Sequence, residues 1–136
     1  MYTKQKAVEA KDRKVALSTL WIFLMFNYIY LDIAVMNFNP GAYQKIASML
    51  TDGMVLGLTA LMEIAIAMPL LSRVLKYGVN RWANIIAGVV FTAFVALTVF
   101  SGNPPLYYLF IATIELATTV FIVWYAWTWP NPEGQR

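Results

Sequence analysis

The chain has 136 residues, of which 60% are hydrophobic and only 12% charged, where a soluble domain carries about 25% charged residues. It contains no cysteine and no histidine, which excludes disulfides, thiolate chemistry, cysteine-held metal clusters, histidine-ligated haem and histidine acid–base catalysis. Ten basic against seven acidic residues give a net charge of +3 and a pI near 9.2, on a composition that belongs in a membrane.

In chain order, residues 1–15 form a basic segment in which Lys4, Lys6, Lys11, Arg13 and Lys14 mix with Glu9 and Asp12. It is expected as a surface helix extension or a frayed tail. The first apolar stretch, 16–36, is full length for a span and no small-residue cleavage site follows it, so it is expected to stay in the mature protein. Asn27 sits at its mid-depth, Tyr28 and Tyr30 in its second half, and Asp32 about one turn from its end. An Asn39-Pro40-Gly41 turn signal comes next. The spacing of Tyr43, Ile46, Met49 and Leu50 then predicts a short helix lying on the membrane surface, as a cap or a lid.

The second stretch, 53–74, carries Glu63. Gly78 reads as the cap that ends it, and Asn80 as the cap that starts the third stretch, 82–100. There Asn84, Gly88, Thr92 and Ala96, each four residues after the last, form a small-residue stripe of the kind that packs helices closely. Ser101-Gly102-Asn103-Pro104 is a tight turn into the fourth stretch, 105–127, which opens with Tyr107 and Tyr108 and carries Glu115 at mid-depth. Each stretch has about the 17–25 residues that cross a hydrocarbon core. The expected fold is all-α: one domain, 1–136, built as an antiparallel four-transmembrane-helix bundle with a short interfacial helix between the first two spans.

Nine of the ten basic residues flank the same ends of these spans, and only Lys45 lies on the other side. The positive-inside rule then places both termini and the second connection in the cytoplasm of a multi-pass cell-membrane protein. The basic pI is explained by topology and by anionic lipid, with no nucleic-acid partner implied. Trp21, Trp82, Trp124, Trp127 and Trp129 all fall toward the basic ends and are expected to anchor in the interface. Arg73, Lys76 and Arg81 are expected as anchors too. Arg81-Trp82 with Asn84 is alternatively placed to hold a lipid headgroup or an anionic group.

The most informative residues are Glu63 and Glu115. An ionisable side chain at the centre of a span costs about 2.5–3.5 kcal/mol to insert, so it marks a functional site by default. Their settings match at an offset of 52, Ala60, Glu63 and Ala65 aligning with Ala112, Glu115 and Ala117, as in two parallel repeats. Thr59, Ala60 and Ala67 share a face with Glu63, and Tyr108, Ala112, Thr118 and Thr119 share one with Glu115. Small and hydroxylated neighbours predict that both carboxyls point inward, with Asn27 as an amide donor to one of them. Desolvation and mutual repulsion predict that such a pair shares a proton.

Three functions fit that pair. The leading one is proton-linked binding or transport of a small cation or a lipophilic compound at Glu63, Glu115, Asn27, Asp32, Tyr28 and Tyr108, with tyrosines as aromatic walls and with dimerisation through the small-residue stripes. Asp32 is read first as a solvated residue at the outer interface, and otherwise as the mouth of that binding cavity. The second function is a structural or accessory subunit in which the glutamates fasten helices. The third is an enzyme acting on a lipid, sterol or quinone. No metal ligands, catalytic residues, cofactor site, phosphate-cradling glycine loop or serine-nucleophile elbow are indicated.

Several segments together resemble a family of small prokaryotic four-helix membrane proteins of unknown function: 17–23 with Trp21, Arg81 through Gly88, Ile114-Glu115, and 123–133 with Trp124, Trp127 and Trp129. The resemblance implies the four-span architecture and no activity. The small multidrug transporters are similar in size, span count and possession of an intramembrane glutamate. Theirs lies in the first span, where this chain has Asn27.

Overall fold

A computed structural model describes residues 2–131, and side chains from residue 4 to 131; Glu133 and Arg136 lie outside the described residues. Five helices follow one another: α1 (Tyr2–Phe38), α2 (Pro40–Met49), α3 (Asp52–Val74), α4 (Tyr77–Phe100) and α5 (Leu106–Trp127). There is no strand among the described residues. Four of the helices, all but α2, are long and apolar enough to cross a membrane. The all-α bundle read from the sequence is the fold observed.

The boundaries differ from the expected ones where charge meets helix. The basic amino-terminal segment is continuous helix with the first span, which makes α1 37 residues long. Arg13 fixes that extension. Its Nη1 donates to the Tyr125 carbonyl at 2.7 Å and to the Thr128 hydroxyl at 3.2 Å, and its guanidinium lies 4.3 Å from the Tyr125 ring centre. Arg81 acts likewise on the Trp127 carbonyl at 3.1 Å. Helix α5 has no basic residue in its own last turn, so two arginines from other helices satisfy the carbonyls and negative dipole end that it exposes.

At the other end of α1, Asn39 caps α2 by accepting from Ala42 N, with Pro40 in the first turn where its missing N–H costs nothing. No residue of α2 is buried. Thr51 caps α3 in the same manner through Met54 N.

The third span corrects the sequence reading. Helix α4 starts at Tyr77, so neither Gly78 nor Asn80 is a boundary residue. Asn80 does cap, but the preceding helix. Its Nδ2 donates to the Ser72 carbonyl at 2.7 Å and the Leu75 carbonyl at 3.1 Å, supplying the end of α3 with donors it lacks.

The helices do not pack evenly. α4 lies most closely on α5 and α3 on α1, α1 also packs on α5, and the α3–α4 contact is slight. Gly88 sets the α4–α5 approach: a Cβ there would lie 2.5 Å from Val123 Cγ2 and 3.4 Å from the Thr119 carbonyl. One turn away, the hydroxyls of Thr92 and Thr119 are hydrogen-bonded at 2.8 Å. The stripe read from the sequence is therefore a packing face over Gly88 and Thr92. Gly88→Ala is expected to destabilise the bundle by about 1 kcal/mol, because the β-branched Val123 cannot swing away freely; an unchanged unfolding midpoint in detergent would show that the helices separate at no cost.

The core runs along α1, α4 and α5 through Leu17, Trp21, Leu24, Tyr28, Phe91, Val95 and Ile122. Helix α3 joins it only in its second half, through Ala65, Met68 and Ser72. Every residue from Thr51 to Ala60 is exposed.

Candidate functional site

Polar groups gather inside the bundle at two levels, and the two are opposite in character. The first lies toward the basic end. Trp21 is fully buried, and its Nε1 donates to Asn84 Oδ1 at 2.7 Å. Ser72 Oγ donates to the same oxygen at 3.2 Å. Asn84 Nδ2 donates in turn to the Asn80 carbonyl at 2.9 Å and to Asn80 Oδ1 at 2.8 Å. With the two bonds of Asn80 to the end of α3, every amide hydrogen of both asparagines is used, so α1, α3 and α4 are tied together with no donor left over.

This network was not legible as such. Trp21 was expected in an interfacial belt, but it is a core residue that packs edge-on against Phe91 at 5.7 Å between ring centres. Trp129 is buried as well, against Tyr77. Trp82, Trp124 and Trp127 remain exposed, as anchors would be. Nor does Asn84 join Arg81 at the surface, because it is spent in the core. Two asparagines four residues apart in an apolar helix were the signal, since an amide inside a membrane has to find partners.

The second level holds Glu115, the tenth residue of α5 and thus about 14 Å along it. Glu115 is 2% exposed, and its Oε1 is buried with no hydrogen-bond partner. Tyr28, in the core at the same depth on α1, packs its ring 6.0 Å from that of Phe91, and its hydroxyl is likewise buried and unpartnered. Tyr28 and Glu115 are within electrostatic reach of each other, and so are Glu115 and Asp32. Asp32 is exposed one turn further along α1. The acidic candidate is therefore Glu115, with Tyr28 and Asp32 as the titratable groups in its electrostatic reach.

Glu63 is not part of it within one chain. It was expected to point inward like Glu115, yet it is exposed, nearly opposite the Ala65–Met68–Ser72 face that α3 turns to the bundle. Its neighbours Thr59 and Ala60 are exposed too. The matching settings of the two glutamates thus lead to unlike environments, and the expected shared proton has no pair to rest on. Asn27 gives its amide to the Phe23 carbonyl of its own helix at 2.9 Å and to neither glutamate. Tyr108 is half-buried and lines a different space, a groove of about 730 Å³ between α2 and the α4–α5 turn that also includes Asn39, Lys45 and Tyr107.

An apolar groove of about 540 Å³ lies between α1 and α5 near their α2 end. Tyr30, Ala34, Phe38, Tyr107 and Phe110 line it, and Ile111 closes it one turn from Glu115. The Tyr107 hydroxyl is a further buried oxygen without a partner. No group of three or more candidate metal ligands occurs among the described residues.

Four apolar helices around a core with a mid-span carboxyl define a small multi-pass membrane protein. Residues 6–134 match the model of a family of unknown function, DUF6326, and the chain belongs to that family. No curated protein and no solved structure matches it, and the likeness to small multidrug transporters gains no support.

Proposed function

We propose that Glu115, with Tyr28 and Asp32 beside it, is a proton-exchanging acidic site that binds a small cation or a lipophilic amine, and that this binding serves transport. The carrying observation is the unpartnered carboxyl oxygen. A buried carboxyl that fastened helices would have its hydrogen bonds made, as Asn80 and Asn84 do one level away. Glu115 makes none among the described residues, while desolvation at mid-span requires its charge to be neutralised by a proton or by a cation. Exchange of one for the other is the chemistry such a site can do.

The apolar groove between α1 and α5 is the approach, its tyrosine rings suited to a cationic or hydrophobic ligand. With both termini in the cytoplasm by the distribution of basic residues, the groove opens to the outer leaflet, at the same end of the bundle as α2.

The test is binding of tetraphenylphosphonium, a lipophilic cation, to the protein in nanodiscs across a pH series. Binding is expected to release protons and to weaken as pH falls, because protons compete for the same carboxylate. Glu115→Gln should abolish the pH dependence and weaken binding at least about tenfold, the loss of one charge-assisted contact. Equal binding by parent and Glu115→Gln with an unchanged pH profile would remove the proposal.

A second copy of the chain is part of this reading, and Glu63 supports it. A mid-span carboxyl left on lipid is costly, and the same helix carries Gly53 and Gly57 with open space where a Cβ would be, or only Thr51 at 3.9 Å. Gly-x-x-x-Gly on an uncovered helix suits close approach of a second α3. The absence of native cysteine makes the check direct: Leu56→Cys, alone in the chain, is expected to crosslink under mild oxidation in lipid. Recovery of monomer only, with Val120→Cys on α5 as the control position, would rule this interface out.

A further inference from the structure

At the basic end a groove of about 1060 Å³ opens beside the start of α4, lined by Lys76, Tyr77, Gly78, Val79, Arg81, Trp82, Ala83, Ile86 and Asn131. Its chemistry is that of an anion site. Arg81 is held between two rings, its guanidinium carbon 5.4 Å from the centre of Trp82 and 5.2 Å from that of Trp127, which stand at right angles to each other. Nη2 is engaged by the Trp127 carbonyl, but Nε is buried and has no partner. Arg81 lines the groove, and its Nη1 makes no hydrogen bond among the described residues and is not one of the buried atoms, so it is the guanidinium donor open to an acceptor there.

Two further observations agree. Lys76 precedes α4 without a side-chain cap bond, so the first-turn N–H groups of α4 and the positive end of its dipole face the same space. Neither Lys76 nor Arg81 pairs with a carboxylate among the described residues.

The groove also continues along the lipid-facing side of α4. Val79, Trp82, Ile86, Val89 and Val90 are all exposed and recur at helical spacing from the same end. A cationic head and an apolar track in line are the two halves of a phospholipid. We infer that this groove is a binding site for an anionic phospholipid, its phosphate taken by the open edge of the Arg81 guanidinium, Lys76 and the first turn of α4, and one acyl chain lying along Val79, Trp82 and Ile86. The inference is independent of the acidic site, because it uses none of its residues.

The test compares thermal unfolding of the full chain in nanodiscs of phosphatidylcholine alone with nanodiscs that also contain phosphatidylglycerol. The parent is expected to gain stability with phosphatidylglycerol, and native mass spectrometry is expected to retain the lipid on the protein. Arg81→Lys keeps the charge and removes the planar fork of N–H donors held between the two rings, so it separates a built site from general attraction of basic residues to an anionic surface. It is expected to lower the apparent affinity about tenfold, and Lys76→Gln by a smaller factor. Each variant is referred to its own stability in phosphatidylcholine, so that the bond of Arg81 to α5 does not enter the comparison. Inorganic phosphate added to phosphatidylcholine nanodiscs should stabilise little, because it lacks the acyl chain; equal stabilisation by phosphate would show that the site takes a free anion and not a lipid. A phosphatidylglycerol effect of the same size in Arg81→Lys would overturn the proposal.

Discussion

Asn84→Leu is expected to destabilise the bundle by about 2 kcal/mol, from four broken hydrogen bonds at roughly 0.6 kcal/mol each, the average within membrane proteins. The substitution is close in volume, so the loss is polar rather than steric. It strips Trp21 Nε1 and Ser72 Oγ of their acceptor and Asn80 Oδ1 of its donor. Those groups are buried, and a larger effect would follow if they stay wholly unmet. Trp21→Phe keeps a ring against Phe91 and removes one donor, so it should cost about a third as much in hydrogen bonds. Reversible unfolding in mixed micelles reads both. If Asn84→Leu unfolds at the parent's midpoint, the network is not what ties α1, α3 and α4.

Glu115 should behave in the opposite way. Replacing a buried group that has no hydrogen bond leaves no partner stranded, and an apolar side chain of similar volume removes the desolvation penalty. Glu115→Met is therefore expected to leave stability unchanged or to raise it by about 1 kcal/mol, while cation binding falls at least about tenfold. Such opposed responses are the mark of a site retained at the expense of stability. Marked destabilisation by Glu115→Met, with binding by the surviving folded fraction intact, would make Glu115 a fastener and return the accessory-subunit reading to first place.

Much of the architecture follows from one-dimensional physics. Four apolar stretches of spanning length, broken at Asn39-Pro40-Gly41 and Ser101–Pro104, have no low-energy form in lipid other than helices, since each backbone group must be satisfied within its own segment. The depth of Glu115 and Tyr28 is legible for the same reason, because rise per residue converts position to depth. Boundaries at the basic end were less legible. There Asn80 caps α3 from within α4, and Arg13 reaches α5 from 112 residues away, pairings that local spacing does not contain.

The sequence by itself determined that this is a small helical membrane protein with carboxyls at mid-span and with nine of its ten basic residues flanking the same span ends. Composition and span length decide that much, because partition between water and lipid acts on each segment separately. Only the tertiary structure decided which carboxyl is inside. Glu63 and Glu115 sit in matching local sequence, but the face a helix buries depends on its neighbours. Helix α3 turns Ala65, Met68 and Ser72 to the bundle and leaves Glu63 outside, whereas α5 lies between α1 and α4 and encloses Glu115. The packing of α1 on α5 is what sets Tyr28 and Asp32 within electrostatic reach of Glu115.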